Sequence, residues 1–140
     1  MDLIVWKPEY SVGVKEIDIQ HRRLVQMIRV LQESIRDDLG SPVVGRTLKQ
    51  LVQYTRTHFR DEEALMKRIG FPELDSHQQK HKRLVGEIVE ILENLKADKE
   101  YSAVDLITFL KHWLVDHILA EDCQIAPVLQ ERLESARAER

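Results

Sequence analysis

Residues 58–81 read HFRDEEALMKRIGFPELDSHQQKH, and the fold turns on how this stretch is parsed. Gly70 lies just past the last periodic residue of one segment and stops it, and Pro72 restarts the chain into the next. Upstream, Leu48, Leu51, Thr55, His58, Glu62, Leu65 and Ile69 recur at steps of three and four, and downstream Leu74, His77, His81, Leu84, Ile88, Leu92 and Leu95 do the same. Each seam is apolar except near the break. There, imidazoles and a carboxylate occupy places that the pattern assigns to a core.

Two further helical segments flank this pair. Ile17, His21, Leu24, Ile28, Leu31 and Ile35 form a first seam that ends before DDLGSP. Ser41 is then placed to cap the second helix, with Pro42 at its first position, where a missing N–H costs nothing. The fourth segment begins at YSAVD, where Ser102 and Asp105 form a pair resembling a capping box, and runs through Leu106, Leu110, Trp113 and His117. A short helix is expected after Pro127. Short connections make neighbouring helices antiparallel. The expectation is an all-α, up-down-up-down antiparallel four-helix bundle with an N-terminal arm and a short C-terminal helix, residues 1–140 forming a single domain.

Composition narrows the function classes. A chain of 140 residues with 43% hydrophobic and 32% charged content is the size of one ordinary domain. A formal net charge of -3 and a pI near 6.1 give no reason to expect nucleic acid or an anionic membrane as partner. The single cysteine, Cys123, excludes an internal disulfide framework and fits a reducing compartment. No apolar run approaches the roughly 20 residues that span a bilayer, and MDLIVWKPEY lacks a secretory pattern. A cytoplasmic protein without membrane insertion is expected.

The topology makes a demand on the odd residues. His21 lies near the start of its helix, His58 and Glu62 toward the end of the second, His77 and His81 near the start of the third, and His117 toward the end of the fourth. In an antiparallel bundle these places share one end. A lone histidine on an apolar face is more often a core residue satisfied by one hydrogen bond than a ligand. Five at one level are different, because each unpaired buried polar group costs roughly 1–3 kcal/mol. A bound cation removes the conflict by taking the imidazole lone pairs. His58 and Glu62, like His77 and His81, are four residues apart, about 40° around a helix turning about 100° per residue, so each pair points one way.

Imidazole and carboxylate without thiolate suit iron, manganese or zinc better than magnesium or calcium. Zinc is content with about four ligands, fewer than are present. The zincin pattern is also missing, since HQQKH carries Gln78 where the catalytic glutamate would stand. A ferritin-like site needs Glu-x-x-His on two helices, and only Asp18 with His21 comes near it.

The stretches SVGVKEIDIQHRRLV, HFRDEE, GFPELDSHQQKH and WLVDHILAED, in this order between Trp6 and about Leu129, resemble the hemerythrin family, specifically its single-domain bacterial members. The resemblance implies two iron ions, with His21, His58, His77, His81 and His117 as terminal ligands and Glu62 and Asp122 as bridges. With a solvent-derived oxo or hydroxo bridge, the iron held by His77, His81 and His117 is then full, and the iron held by His21 and His58 keeps one open position. Dioxygen binds reversibly there in hemerythrins, inside a dry pocket. By resemblance, and because each lies within a turn of a ligand, Leu24, Phe59, Trp113, Leu114 and Ile118 are expected around it, where ordinary core packing is also their role.

Spacing alone does not choose Asp122. It is five residues past His117, about 140° around a regular helix, whereas Glu121 is better placed. A π turn between His117 and Asp122 would reconcile the two. Glu63 similarly rivals Glu62, but there spacing and resemblance agree on Glu62. Arg29 stands where the family often has Asn and Ile125 where it often has Tyr, differences expected to bear on pocket polarity and autoxidation. Cys123 reads as a small buried hydrophobe rather than a redox switch, and His112 as a surface residue.

Reversible oxygen binding for storage, transport or delivery, without enzymatic turnover, is therefore the expected function, with dioxygen as ligand and an unidentified protein as a conceivable recipient. A di-iron oxidase or peroxidase, or an oxygen or redox sensor, is the alternative use of the same site. A helical interaction module without metal is a third, and it predicts that apolar replacements of His77 or His81 stabilise the fold.

Overall fold

The structure is a computed structural model that describes residues 3–97 and 99–138, His117 by its backbone alone. A single 3-10 turn, Pro8–Tyr10, interrupts the arm. Then follow α1, Lys15–Asp38; α2, Pro42–Arg68; α3, Leu74–Lys96; and α4, Ala103–His112. A π-helical stretch, Trp113–Leu119, continues α4 directly into α5, Ala120–Ala138, so that these three make one fourth rod. Helix α1 packs against α2 and α4, and α2 against α3. The Trp113 indole N–H donates to the Leu84 carbonyl at 3.0 Å and ties the fourth rod to α3. The chain is an all-α four-helix bundle, as its sequence predicts.

The helix ends follow their local chemistry. The Ser41 hydroxyl accepts the Val43 N–H at 3.2 Å, and that of Ser102 accepts the Asp105 N–H at 3.3 Å, each satisfying a donor that the first turn leaves orphaned. At the end of α2, Gly70 adopts φ 69°, a left-handed conformation that a Cβ penalises. The Phe71 N–H then reaches back to the Met66 carbonyl at 2.9 Å and the Gly70 N–H to Lys67 at 3.2 Å, a complete Schellman closure. This turn points α3 back along α2.

One expectation is corrected. No separate helix starts after Pro127; α5 runs through that proline to Ala138. Proline deprives the Cys123 carbonyl of its helical partner, but its fixed φ is already helical. Ala126 and Leu129, buried on either side of it, hold the helix through the defect.

The arm is a docked element. Ile4 is buried, its N–H donates to Gln32 Oε1 at 2.9 Å, and the same amide's Nε2 donates to the Ile107 carbonyl at 3.0 Å. Gln32 thereby joins arm, α1 and α4 through one fully buried side chain, which the seam of α1 does not announce.

Apolar side chains form two clusters. The large one fills the body of the bundle with Leu24, Ile28, Leu31, Ile35, Leu48, Leu51, Ile88 and Leu110, and each such buried side chain contributes roughly 1.5–3 kcal/mol. The small one, Val12, Val14, Ile17, Met66, Phe71, Ala126 and Leu129, closes one end. Along every rod, the polar seam residues fall between the two: Ile17, His21, Leu24 on α1; Met66, Glu62, Phe59 on α2; Phe71, then His77 and His81, then Leu84 on α3; Leu119, Asp122, Ala126 on the fourth. The polar layer lies between a core and a lid.

Candidate metal centre

Helix α1 contributes His21, α2 His58 and Glu62, α3 His77 and His81, and α5 Asp122, and all six are buried to within a few per cent. Their ligand atoms form two groups in which all atoms lie within 4.8 Å of one another: His21, His58, Glu62 and Asp122, and Glu62, His77, His81 and Asp122. The two carboxylates belong to both groups, and each divides its oxygens between them. Glu62 Oε1 lies 2.7 Å from His77 Nε2 and 3.2 Å from His81 Nε2, while Oε2 lies 3.5 Å from His58 Nε2 and 3.9 Å from His21 Nε2. Asp122 Oδ1 is 3.6 Å from His77 Nε2 and Oδ2 2.7 Å from His21 Nε2. The His117 side chain lies outside the described residues; its backbone is in the π-helical stretch.

The π stretch explains how Asp122 enters the layer. On the fourth rod Leu110, Leu114, Ile118, Asp122 and Ala126 are buried at successive steps of four. Such steps drift around a regular helix by about 40° each, and the wider turns of Trp113–Leu119, which overlap the start of the interval between His117 and Asp122, offset that drift. Glu121 is not among the grouped ligand atoms and pairs with Lys80 Nζ at 3.1 Å beside the layer.

Outer partners set which imidazole nitrogen faces inward. His58 Nδ1 lies 2.6 Å from Gln20 Oε1, and His81 Nδ1 lies 2.6 Å from Glu63 Oε2. Both partners are acceptors, so each Nδ1–H donates outward and leaves an Nε2 lone pair for the centre. Gln20 is itself held by an amide contact to Asp61 at 3.1 Å. Neither Gln20 nor Glu63 lies on a seam. The signal that finds them is the second nitrogen of each imidazole, which always needs a partner.

Electrostatics agree with a cation site. Burial pushes His58 down to about 3, against the attraction of Glu62, and burial also lowers His21, so both rings are neutral with lone pairs free. Burial and the neighbouring Glu62 charge raise Asp122 well above the usual carboxylate range. Burial works against ionised Glu62 as well, but the hydrogen bond from His77 and the close approach of His81 outweigh it and hold Glu62 well below that range.

The donors also fit a metal by what they leave undone. His21 Nδ1 and Nε2, His58 Nε2, Glu62 Oε2 and Asp122 Oδ2 are buried without a directed hydrogen bond; the 2.7 Å approach of His21 to Asp122 lacks the orientation of one. Native interiors rarely tolerate such orphans, whereas a metal ion satisfies imidazole and carboxylate lone pairs together.

The apolar residues Leu24, Phe59, Trp113, Leu114 and Ile118 are all buried. Phe59 stacks on His81 with ring centroids 3.7 Å apart. A void of about 10 Å³ lies beside His77, His81 and Asp122, and of the five only Phe59 and Ile118 line it. Asp18 turns away from His21 and accepts the Val12 N–H of the arm at 2.8 Å. Arg29 is not in this layer; it reaches the Ile4 carbonyl at 3.2 Å and Glu33 at 3.3 Å, which makes it an anchor of the arm. Ile125 and Cys123 pack against the small apolar cluster, and burial raises the Cys123 thiol. His112 is exposed beside Asp116.

A sequence profile of the hemerythrin HHE cation binding domain matches residues 12–129. Bacteriohemerythrin of Stenotrophomonas maltophilia is 32% identical over 87% of this chain and 78% of its own length. Bacteriohemerythrin of Methylococcus capsulatus is 28% identical over 92% and 98%, and myohemerythrin of Theromyzon tessulatum 32% over 84% and 86%. The crystal structure of a wild-type hemerythrin, 28% identical, superposes with a TM-score of 0.81 over 91% of this chain and 98% of that one. With its cation-binding profile, its bundle and a buried layer of imidazoles around two shared carboxylates, the chain belongs to the hemerythrin family.

Proposed function

We propose that residues 1–140 form one hemerythrin-like domain that binds dioxygen reversibly at a di-iron centre, held by His21, His58, Glu62, His77, His81, His117 and Asp122, for oxygen storage, transport or delivery. The observation that carries this reading is the division of Glu62 and Asp122 between two histidine groups, since a single ion would leave half of those oxygens and two imidazoles unused. The names of the relatives point the same way. Reduced iron bound there would supply the electrons for holding dioxygen and would take them back on release.

The chain does the rest. Gln20 and Glu63 keep His58 and His81 in the tautomer that presents Nε2. The apolar lid and the main core exclude water above and below the layer. Leu24, Phe59, Trp113, Leu114 and Ile118 offer no group that could pass a proton, so a bound ligand leaves as it came.

An oxidase or peroxidase is favoured by one observation. Lys80 and Glu121 line the void beside His77, His81 and Asp122 and form an ion pair there, an available proton source. Anaerobic reduction of the iron-loaded protein, admission of oxygen and repeated deoxygenation separate the two readings. An oxygen-dependent visible band that appears and disappears over several cycles supports the carrier. One-way conversion with release of peroxide supports the enzyme and overturns the carrier.

A further inference from the structure

A cleft of about 500 Å³ runs between α2 and α3 on the outside of the polar layer. Its rim carries Arg56, Arg60 and Lys67 along one face of α2, with Lys82 opposite on α3, and all four are exposed. Every other arginine or lysine ion pair among the described residues lies elsewhere, so these four cations are uncompensated. Its only carboxylate, Glu63, is engaged with His81. The floor is Phe59 stacked on His81, with Ala64 and Val85 beside it. Solvent is thus separated from an inward-facing imidazole by one carboxylate and one ring. The other outer contact, Gln20 to His58, opens on a cleft of about 420 Å³ where Glu16, Asp61 and Glu62 outnumber Arg68 and Arg137, so it carries no basic excess.

We infer that the α2–α3 cleft is the docking surface for a small acidic one-electron carrier protein, which delivers electrons to the centre through the Glu63–His81 edge. The inference rests on the di-iron reading. Each encounter oxidises the carrier by one electron and reduces one ferric ion to ferrous; two encounters restore the reduced pair, and no atoms are exchanged. Electron tunnelling falls steeply with distance, which favours the edge where a ligand ring comes nearest to solvent. An uncompensated basic rim around an apolar floor steers an acidic protein by long-range attraction and seats it by short-range contact. A second cleft, at the other end of α2 and α3, also carries cations, Arg46, Lys49, Lys96 and Lys99, but it is far along the chain from the polar layer. The chain is acidic overall, which fits a compact acidic protein at the Glu63–His81 edge better than a nucleic acid backbone.

The test uses oxidised, iron-loaded protein with photoreduced flavodoxin as the acidic donor and a neutral hydroquinone as control. Reduction by flavodoxin is expected to slow steeply with added salt, and in the Arg60→Glu, Lys67→Glu double variant to slow by about tenfold or more at low salt. The hydroquinone rate is expected to stay unchanged. Titrating the isotopically labelled metal-free protein with oxidised flavodoxin should move the amide signals of residues 56–67 and 78–85. Equal slowing with both donors, no effect of the charge reversal, signals that move elsewhere, or capture of this face by a duplex oligonucleotide without any effect on flavodoxin would each overturn the inference. If oxygen cycling fails while rim-dependent reduction persists, the carrier reading falls and the docking surface stands. If oxygen cycling persists and the double variant is reduced at the normal rate, the docking surface falls and the carrier reading stands.

Discussion

Helices α2 and α5 each deliver one carboxylate to the same layer, and they do so by different backbone geometry. On α2 the helix is regular, and His58 and Glu62 face inward because a four-residue step nearly closes a turn. On the fourth rod the seam crosses a π-helical stretch, and the wider turns there keep Leu114, Ile118 and Asp122, each four residues after the last, on the inner face. The regular helix fixes its ligand by periodicity. The widened one re-aims its ligand at the cost of poorer backbone hydrogen bonding, a device found mostly at functional sites. What the two share is function in the layer: both acids lie between the same two groups of imidazoles.

The sharpest way to break this comparison is to exchange the rivals on the widened rod. Asp122→Asn is expected to reduce bound iron to about half of the wild-type content or less, because one shared anionic donor is gone. The same variant should raise the thermal midpoint of the metal-free protein, since the neutral amide replaces a carboxyl whose charged form burial and the neighbouring Glu62 disfavour. Glu121→Gln should leave iron content unchanged. Metal analysis and calorimetry of the three proteins check all of this, and loss of iron on changing Glu121 would reverse the assignment.

A smaller effect is expected one layer out. Replacing Glu63 with Gln, or Gln20 with Ala, removes the acceptor that orients His81 or His58, and should weaken iron binding by about 10–100-fold, as measured by competition with a chelator. If both variants hold iron as tightly as the parent, the outer contacts are packing and nothing more.

The buried histidines also make a prediction about pH in the metal-free protein. His58 and His21 are depressed in the folded state, so below the ordinary value near 6.5 the unfolded chain binds protons that the folded chain refuses. Stability is full above that value and falls as pH drops toward 3. Asp122, raised in the folded state, acts in the opposite direction, while Glu62, held low, acts with the histidines. Stability is therefore expected to fall between pH 7 and pH 5. Urea titrations at pH 7.5 and 5 test it, and an unchanged midpoint would show that these rings are not buried neutral.

The smallest effect concerns the turn that aligns the regular pair. Gly70→Ala places a Cβ at φ 69°, with no neighbour to clash, so only local strain opposes it. The expected loss is about 1–2 kcal/mol in unfolding free energy with iron binding retained.

The same contrast between local rule and tertiary packing separates what the sequence makes legible from what it hides. The seams of α1, α2 and α3, the caps at Ser41 and Ser102 and the stop at Gly70 follow local rules, and with them the bundle and the meeting of His21, His58, Glu62, His77 and His81. Asp122 is reachable only by family resemblance, because a π turn has no periodic signature. Gln20, Glu63 and Gln32 are not legible, since their partners lie on other helices or the arm and are fixed by packing. Arg29 anchors the arm instead of facing the pocket for the same reason: its role depends on where the arm docks. The continuity of α5 through Pro127 is hidden because tertiary burial of Ala126 and Leu129 overrides a residue that locally argues for a break.

The measurement that bears most directly on the shared carboxylates is iron-edge anomalous diffraction from crystals grown anaerobically with ferrous iron. Two separate peaks are expected to flank Glu62 and Asp122, one within ligand distance of His77 and His81 and the other of His21 and His58. A single peak, or peaks that leave Asp122 without contact, would contradict the sharing of the two carboxylates between a pair of ions.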